Sequence, residues 1–261
     1  MKNTSIKLAI FLVVILVLAP MLSLAKNNAN ISRDVDGTLL PLHIKYKAFV
    51  HYPHPAKVGK RASLPPSCTV TQDDQIPDYK AAGWYFDTRP RVYHLNEATV
   101  PGSVGVQNIY SAVSNAWLAW RMADLEIVVS QGEGTYATKP KYDGINLLAW
   151  GSVPSGAIAV TYTWYNVVTG QQLESDTIFN SKLKWSHTPY STDCGGVAGT
   201  YDVENIATHE FGHWIGLDDL YNSVDKDLTM YGYGFTAELK KDTLGWGDME
   251  GANEVTPQPP G

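Results

Sequence analysis

The sequence predicts an α+β fold, in which a twisted mixed sheet of about five strands packs on two long helices plus a C-terminal helix. Residues 105–122 and 202–215 repeat apolar side chains at the spacing of a helix. Before and between them lie short runs rich in β-branched and aromatic residues, separated by Gly, Pro, Ser or Asn, which is typical of strands. The length of 261 residues suits one large domain, or a smaller domain preceded by a pro-segment.

The predicted strands span residues 91–95, 125–129, 144–150, 157–165 and 176–179. Turn residues fill positions 166–170, so we expect the last two strands to form an antiparallel pair. Residues 157–160 are also a candidate for pairing with an extended peptide, as an exposed sheet edge can. Their small side chains fit ordinary core packing equally well.

The first helix is predicted to be mostly core, so its tryptophans, Trp117 and Trp120, are packing residues. In the second helix, Asp202 can cap the first amides and Gly216 ends the helix. A short helix is predicted over residues 236–244, followed by a frayed tail at 252–261.

The N-terminus has the three parts of a secretory signal peptide: Lys2 and Lys7, an apolar run over residues 8–19, and a small-residue end at Ala25. The run is shorter than the roughly 20 residues that span a bilayer, so we expect cleavage near Ala25 and a secreted, extracellular protein without a stable membrane anchor. Cleavage moves the net charge from −6 to −8, because residues 1–25 contain two lysines and no acid. An acidic chain without a basic block argues against nucleic-acid binding.

Residues 26–83 read as a loop-rich N-terminal segment, which we interpret as a candidate pro-region. Its basic stretch, residues 57–61, is either a processing site or a solvated loop. Cys68 and Cys194 are the two cysteines of the chain, and one disulfide is the simplest interpretation for an exported protein. Alternatively, the Cys68 thiolate binds a metal ion and blocks its site.

The chemical motif lies on the second helix, in the run His209-Glu210-Phe211-Gly212-His213. Histidines four residues apart lie one turn apart on the same face, so both imidazoles can bind one cation. Zinc is the natural candidate, because a catalytic zinc site has such ligands and an open position. Glu210 is placed beside that position, where it can accept a proton from water activated by the metal.

The third ligand is predicted to be Asp219, six residues after His213. Gly216 can take a positive φ, which lets the chain leave the helix sharply and return toward the metal. Asp218 is the competitor, and the spacing favours Asp219.

At these residues the chain resembles the metzincins, whose pattern HExxHxxGxxH or HExxHxxGxxD is followed by a methionine turn. Met230 lies eleven residues after Asp219 and matches that turn. Residues 156–165, then 175–180 and Trp185, are similar to the matrixin pattern of an upper-rim strand, a second strand and a later Trp. The Asp ligand followed by Tyr221 resembles the snapalysin group, and the cysteine-switch sequence of matrixins is missing.

The resemblance implies a metzincin-like catalytic domain over residues 84–251 that hydrolyses peptide bonds, with protein or peptide substrates, one catalytic zinc and Glu210 as general base. It also implies that the Met230 turn underlies the metal site and that Tyr221 donates a hydrogen bond to the oxyanion; Tyr231 and Tyr233 are predicted to shape the pocket wall. Calcium is a further candidate ligand, although Asp143, Asp176 and Asp193 form no recognisable set. We expect a monomer.

Two other classes of function fit the sequence. One is a non-catalytic, zinc-stabilised extracellular binding protein, against which Glu210 counts, because a structural site needs four protein ligands and no base. The other is an inhibitor-like or cell-surface protein held at the membrane by an uncleaved leader.

Overall fold

A computed structural model describes residues 31–55, 75–87, 89–189 and 195–256. The predicted α+β class is confirmed: a sheet of seven strands packs against helices. Its strands are β3 (Ile44–Pro53), β4 (Arg91–Leu95), β5 (Val129–Gln131), β6 (Asn146–Gly151), β7 (Ala159–Asn166), β8 (Gln172–Asn180) and β11 (Tyr233–Gly234). They lie in the order β11-β3-β7-β8-β6-β4-β5.

Two small two-stranded sheets complete the β-structure of the described residues. They pair β1 (Ser32–Arg33) with β2 (Leu39–Leu40), and β9 (Trp185–Ser186) with β10 (Tyr201–Asp202). In the large sheet, β4, β5, β6 and β8 run parallel to one another, whereas β7 is antiparallel to β8 and to β3. The predicted antiparallel pair of the last two strands is therefore confirmed.

The prediction of a strand over residues 125–129 is wrong for most of that span. The Asp124 carboxylate accepts a hydrogen bond from the Glu126 amide, and the Ile127 amide donates to the Asp124 carbonyl, so the chain turns here and β5 begins only at Val129. The prediction of residues 26–83 as loop-rich is also wrong, because this segment contributes β3, a strand of ten residues inside the large sheet.

Two long helices, α1 (Val106–Ala123) and α2 (Val203–Ile215), lie close to their predicted bounds and share the main hydrophobic core with residues of the sheet. Asp202 caps α2 as predicted, accepting from the amides of Glu204 and Asn205. The tryptophans of α1 are core residues: Trp117 stacks on Phe211 of α2 at 4.1 Å, and the Trp120 indole donates to the Thr208 carbonyl at 2.8 Å.

The C-terminal helix is displaced from its prediction. The third helix, α3 (Trp246–Val255), begins after the predicted span of 236–244 and extends into the predicted tail. Within that span only a short 3₁₀ turn forms, Lys240–Asp242, since Ala237 adopts φ +60°, which is incompatible with a continuous helix.

Several predictions concern residues outside the described ranges. They are the signal peptide at residues 1–25, the basic stretch at 57–61, both cysteines and Asp193. Among the described residues, no helix has the length and hydropathy needed to cross a membrane.

Candidate metal centre

The two histidines of α2 are held in one tautomer by backbone carbonyls. The Nδ1 atom of His209 lies 2.7 Å from the Thr229 carbonyl oxygen, and the Nδ1 atom of His213 lies 2.8 Å from that of Leu217. A carbonyl only accepts, so each Nδ1 carries the proton and each Nε2 presents a lone pair. This is the orientation in which imidazoles bind a metal with a carbonyl behind them.

The chain returns to these histidines through Gly216, which has φ +123° as the sequence predicted. A side chain here would meet the Trp84 carbonyl oxygen at 2.5 Å, so the position requires glycine for space as well as for conformation. The return brings the Asp219 Oδ1 atom within 3.3 Å of the His209 Nε2 atom and 3.6 Å of the His213 Nε2 atom.

The structure thus brings together His209, His213 and Asp219. The competing residue, Asp218, instead forms ion pairs with Lys47 at 2.9 Å and Lys80 at 2.7 Å. Its carboxylate is therefore engaged elsewhere.

The three converging atoms have the spacing of ligands that share one small cation. Donors about 2.0 Å from a tetrahedral zinc ion lie roughly 3.3 Å from one another, which matches the two separations to Asp219. The His209 Nε2 and Asp219 Oδ1 atoms are buried without a hydrogen-bond partner, an arrangement that a metal ion would resolve. Two groups of described residues could hold a metal, this trio and the set His51, His209 and Glu210.

The protonation states of the trio suit metal binding. Burial lowers the pKa of His209 to about 3 and also lowers the pKa of His213, so both imidazoles are neutral near pH 7. Burial alone would raise the pKa of Asp219, but the two histidines lower it below its usual value, so this carboxylate stays ionised. Neutral imidazole and ionised carboxylate are the forms that bind metals.

Glu210 lies beside the trio and is fully buried. Its Oε2 atom accepts a hydrogen bond from the Thr161 hydroxyl of β7 at 2.6 Å, and its Oε1 atom lies 3.3 Å from the His51 Nδ1 atom of β3. Burial raises the pKa of Glu210 to about 8, against the Thr161 bond that lowers it. A carboxylate with a raised pKa takes up a proton readily near neutral pH.

Met230 packs against α2, the helix that carries the two candidate histidine ligands. Its side chain is 1% exposed and packs so closely on Gly212 that a methyl group there would overlap the Met230 sulfur. The turn that carries Met230 is fixed by the buried Asp248 carboxylate, which accepts from the amides of Thr229 at 2.7 Å and Met230 at 3.0 Å. Through the Thr229 carbonyl, this turn also orients His209.

Tyr221, predicted as an oxyanion donor, donates its hydroxyl to the Asp219 Oδ2 atom at 3.1 Å. The bond leaves the Oδ1 atom of the same carboxylate directed at the histidines. Its contribution to an oxyanion stays a prediction, as does the wall predicted from Tyr231 and Tyr233, whose rings lie 5.6 Å apart beside this site.

The two calcium candidates among the described residues accept hydrogen bonds from backbone amides. The Asp176 carboxylate accepts from the amides of Leu147 and Lys141, and the Asp143 carboxylate accepts from the Ile145 amide. These two side chains belong to neither of the two groups of described residues that could hold a metal ion.

Sequence reasoning missed three residues of the site. His51 belongs to the segment predicted to be loop-rich, Asp248 to the end of the predicted catalytic domain, and Lys241 to the short helix predicted over residues 236–244. Lys241 is 1% exposed, and its ammonium group lies 3.3 Å from the His209 Nδ1 atom and contacts the Tyr231 carbonyl. Only long-range packing brings these residues to α2, and no spacing motif marks them.

The fold and this site define an α+β protein with a buried candidate metal centre of two histidines and one aspartate. The sequence matches no protein-family model, and no curated protein matches it.

Proposed function

We propose that the chain is a secreted zinc-dependent endopeptidase of the metzincin type, with a matrixin-like catalytic domain and a snapalysin-like Asp ligand, and that its substrates are proteins and peptides. The observation that carries the proposal is the convergence of the His209 and His213 Nε2 atoms on the Asp219 Oδ1 atom, at 3.3 and 3.6 Å, with Glu210 one residue after the first ligand. Three ligands and a neighbouring carboxylate are the composition of a catalytic zinc site.

The position of Met230 supports the same assignment. The methionine turn of metzincins underlies the metal site without binding zinc, and here Met230 packs against Gly212, between the two histidines of α2. The turn also contributes the carbonyl that holds the His209 tautomer.

A bound zinc ion would supply a Lewis acid that lowers the pKa of water and polarises the scissile carbonyl. Glu210 accepts one proton from the attacking water as the water oxygen bonds to the carbonyl carbon. It then delivers that proton to the amide nitrogen as the carbon–nitrogen bond breaks. The Thr161 hydroxyl, bonded to the other oxygen of Glu210, holds the carboxylate in place for both transfers.

Replacement of Glu210 by Gln tests this assignment. The variant keeps the shape of the side chain but cannot accept a proton, so turnover should fall by about 10²–10⁴-fold while zinc content stays at that of the wild type. Secreted protein is incubated with a denatured protein mixture, with and without a chelator, and cleavage sites are identified by mass spectrometry. Glu250→Gln, an exposed position on α3, is the matched control and should cleave normally.

Full activity of Glu210→Gln would refute the role of the base. Unchanged cleavage after complete zinc removal, measured by elemental analysis, would refute the zinc mechanism.

A second function is favoured by the burial of the site. His209, Glu210, His213 and Asp219 are 0–6% exposed, which suits a structural metal in a non-catalytic extracellular binding protein. In that case zinc would raise the unfolding temperature, and no form of the chain, including forms in which the site is uncovered, would cleave protein.

A further inference from the structure

A cavity of about 480 Å³ opens between α1 and the start of α3. Leu118, Ala119 and Met122 form its wall on α1, because residues three and four apart share one face of a helix. Leu244 and Met249 contribute to the opposite wall. The side chains of Leu118 and Met122 are 54% and 78% exposed, so large apolar groups face water here. Small organic molecules typically bind in mostly apolar cavities of roughly 300–1,000 Å³ that contain a few polar groups.

Two carboxyl groups also line this cavity, that of Asp242 in the 3₁₀ turn before α3 and that of Glu204 on α2. The Glu204 Oε2 atom accepts a hydrogen bond from the Asn115 amide group at 3.0 Å and lies 3.1 Å from the His187 Nε2 atom. The Asp242 Oδ1 atom, in contrast, is buried without a hydrogen-bond partner. Since buried carboxyl oxygens are normally hydrogen-bonded, Asp242 lacks a donor that a bound molecule could supply.

The surroundings of Asp242 favour a positively charged donor. Burial raises the pKa of Asp242 well above its usual value, and the carboxylates of Asp202, Glu204 and Glu238 raise this pKa further. Lys240 acts in the opposite direction with a smaller effect. A cation bound beside Asp242 would favour the ionised carboxylate and offset the repulsion from the neighbouring acids.

The cavity is separate from the candidate metal centre. Glu204 precedes His209 by five residues and His213 by nine, so the two histidines lie roughly 140° and 180° around the helix axis from Glu204. The residues that line the cavity include none of the three candidate ligands. A molecule bound in the cavity would therefore not contact the metal.

We propose that this cavity binds an amphiphilic amine, a small molecule that carries a protonated amino group at one end of an apolar body. The apolar body lies between the walls on α1 and α3, and the ammonium group donates to the Asp242 carboxylate. A neutral analogue of the same shape fills the apolar part of the cavity without forming the ion pair. An anionic analogue is repelled by the neighbouring carboxylates.

The test compares phenylbutylamine with phenylbutanol, its neutral analogue, at pH 7, where an alkylamine is protonated. The full chain carries carbon-13 in the methionine methyl groups, and binding is followed by NMR titration. Met122 and Met249 line the cavity and report its occupancy, whereas Met230 packs on Gly212 and reports binding near the metal centre. We expect both compounds to shift the Met122 and Met249 signals, and the amine to bind about tenfold more tightly, because a hydrogen bond between charged groups is stronger than one to a neutral group.

Asp242→Asn keeps the shape of the side chain and removes its charge. The amine should bind this variant with about the affinity of the alcohol, and the affinity of the alcohol should not change. Glu254→Gln is the matched control, since it removes the same charge from an exposed position of α3 outside the cavity. This control should keep the preference for the amine.

Met122→Ala tests the apolar wall and covers the case in which Asp242→Asn does not fold. The Met122 side chain is 78% exposed, so its truncation should leave the fold intact while weakening both compounds by a similar factor of about three. Met249 then reports the binding. Folding of each variant is checked by circular dichroism and thermal unfolding.

Three results would overturn the proposal: equal affinity of the wild type for the amine and the alcohol, a preference for the amine that persists in Asp242→Asn, or unchanged affinities in Met122→Ala. Signal shifts confined to Met230 would place the probes elsewhere and would overturn it as well. Binding is measured without metal or turnover, so a failure here is distinguishable from a failure of the proposed peptidase.

Discussion

Replacing Gly212 by alanine tests how tightly α2 packs on the turn that carries Met230. The added methyl group would overlap the Met230 sulfur and lie 2.9 Å from both the Met230 Cε and the Trp120 Cζ2 atoms. Ordinary contacts between such atoms are about 3.5–4.0 Å, so the neighbours must move. Met230 cannot move freely, since it is 1% exposed and its amide is bonded to Asp248.

The magnitude follows from two opposing effects. Alanine in place of glycine inside a helix stabilises by about 1 kcal/mol, whereas an extra methyl group in a packed core costs about 1–3 kcal/mol. The displaced sulfur lies at the high end of that cost, so we expect Gly212→Ala to lower the free energy of unfolding by about 1–2 kcal/mol. For a domain of this size the unfolding temperature falls by about 2–8 °C.

The same displacement should weaken metal binding. The turn that carries Met230 presents the Thr229 carbonyl to the His209 Nδ1 atom at 2.7 Å, and a shift of this turn misorients the imidazole. Loss of such an outer partner costs on the order of 10-fold in metal affinity. Urea denaturation measures the stability, and competition with a chromogenic chelator measures the zinc affinity.

The double variant Gly212→Ala/Met230→Ala provides the control. Met230→Ala alone should cost about 2–5 kcal/mol by leaving a cavity, and the new methyl group of residue 212 fills part of that cavity. Adding Gly212→Ala to Met230→Ala should therefore cost nothing or restore stability. A single Gly212→Ala variant that is as stable as the wild type, or additive effects in the double variant, would refute the tight contact.

Two further substitutions test the supports of α2. The Asp248 carboxylate accepts hydrogen bonds from three amides, those of Thr229, Met230 and Gly245. Asp248→Asn keeps only one acceptor oxygen, so it should lower the free energy of unfolding by about 1–3 kcal/mol. An unchanged midpoint of urea denaturation would contradict this. The second substitution, His187→Gln, removes the imidazolium that bonds to Glu204 at 3.1 Å, a bond that raises the pKa of His187 in the folded state. A group whose pKa is raised in the folded state stabilises the protein below its pKa in the unfolded state, and this stabilisation is lost as the pH rises through its pKa in the folded state. The variant should therefore be less stable than the wild type by about 1 kcal/mol at pH 5.5 and by less at pH 8.5. A difference in stability that is equal at the two pH values would argue against the charged bond.

The elements predicted best are those whose signals are local. The period of α2, the cap at Asp202 and the turn at Gly216 all lie within fifteen residues, and each occupies its expected place. The same holds for β4, whose bounds agree with the prediction. The spacing of the two candidate histidine ligands could be deduced from sequence because helix geometry alone places His209 and His213 on one face.

The elements predicted poorly depend on distant contacts. The sequence of β3 contains lysines at positions 45 and 47 and ends at Pro53, so it resembles a polar loop. Its partner strand, β7, lies more than a hundred residues later in the chain. α3 contains Gly247 and Gly251, poor helix formers, yet both are needed there because a side chain at either would collide with residues 78 or 79. No local pattern reveals that a remote segment requires glycine.

The side chains of the three candidate ligands are oriented independently of β3. The Nδ1 atoms of His209 and His213 are held by carbonyls of residues 229 and 217, and the Asp219 Oδ2 atom is held by Tyr221, none of which belongs to that strand. β3 instead contributes the rings that cover the histidines and the imidazole that lies beside the Glu210 carboxylate. Its removal would therefore change the access to the site and the surroundings of Glu210 more than it changes the orientation of the three candidate ligands.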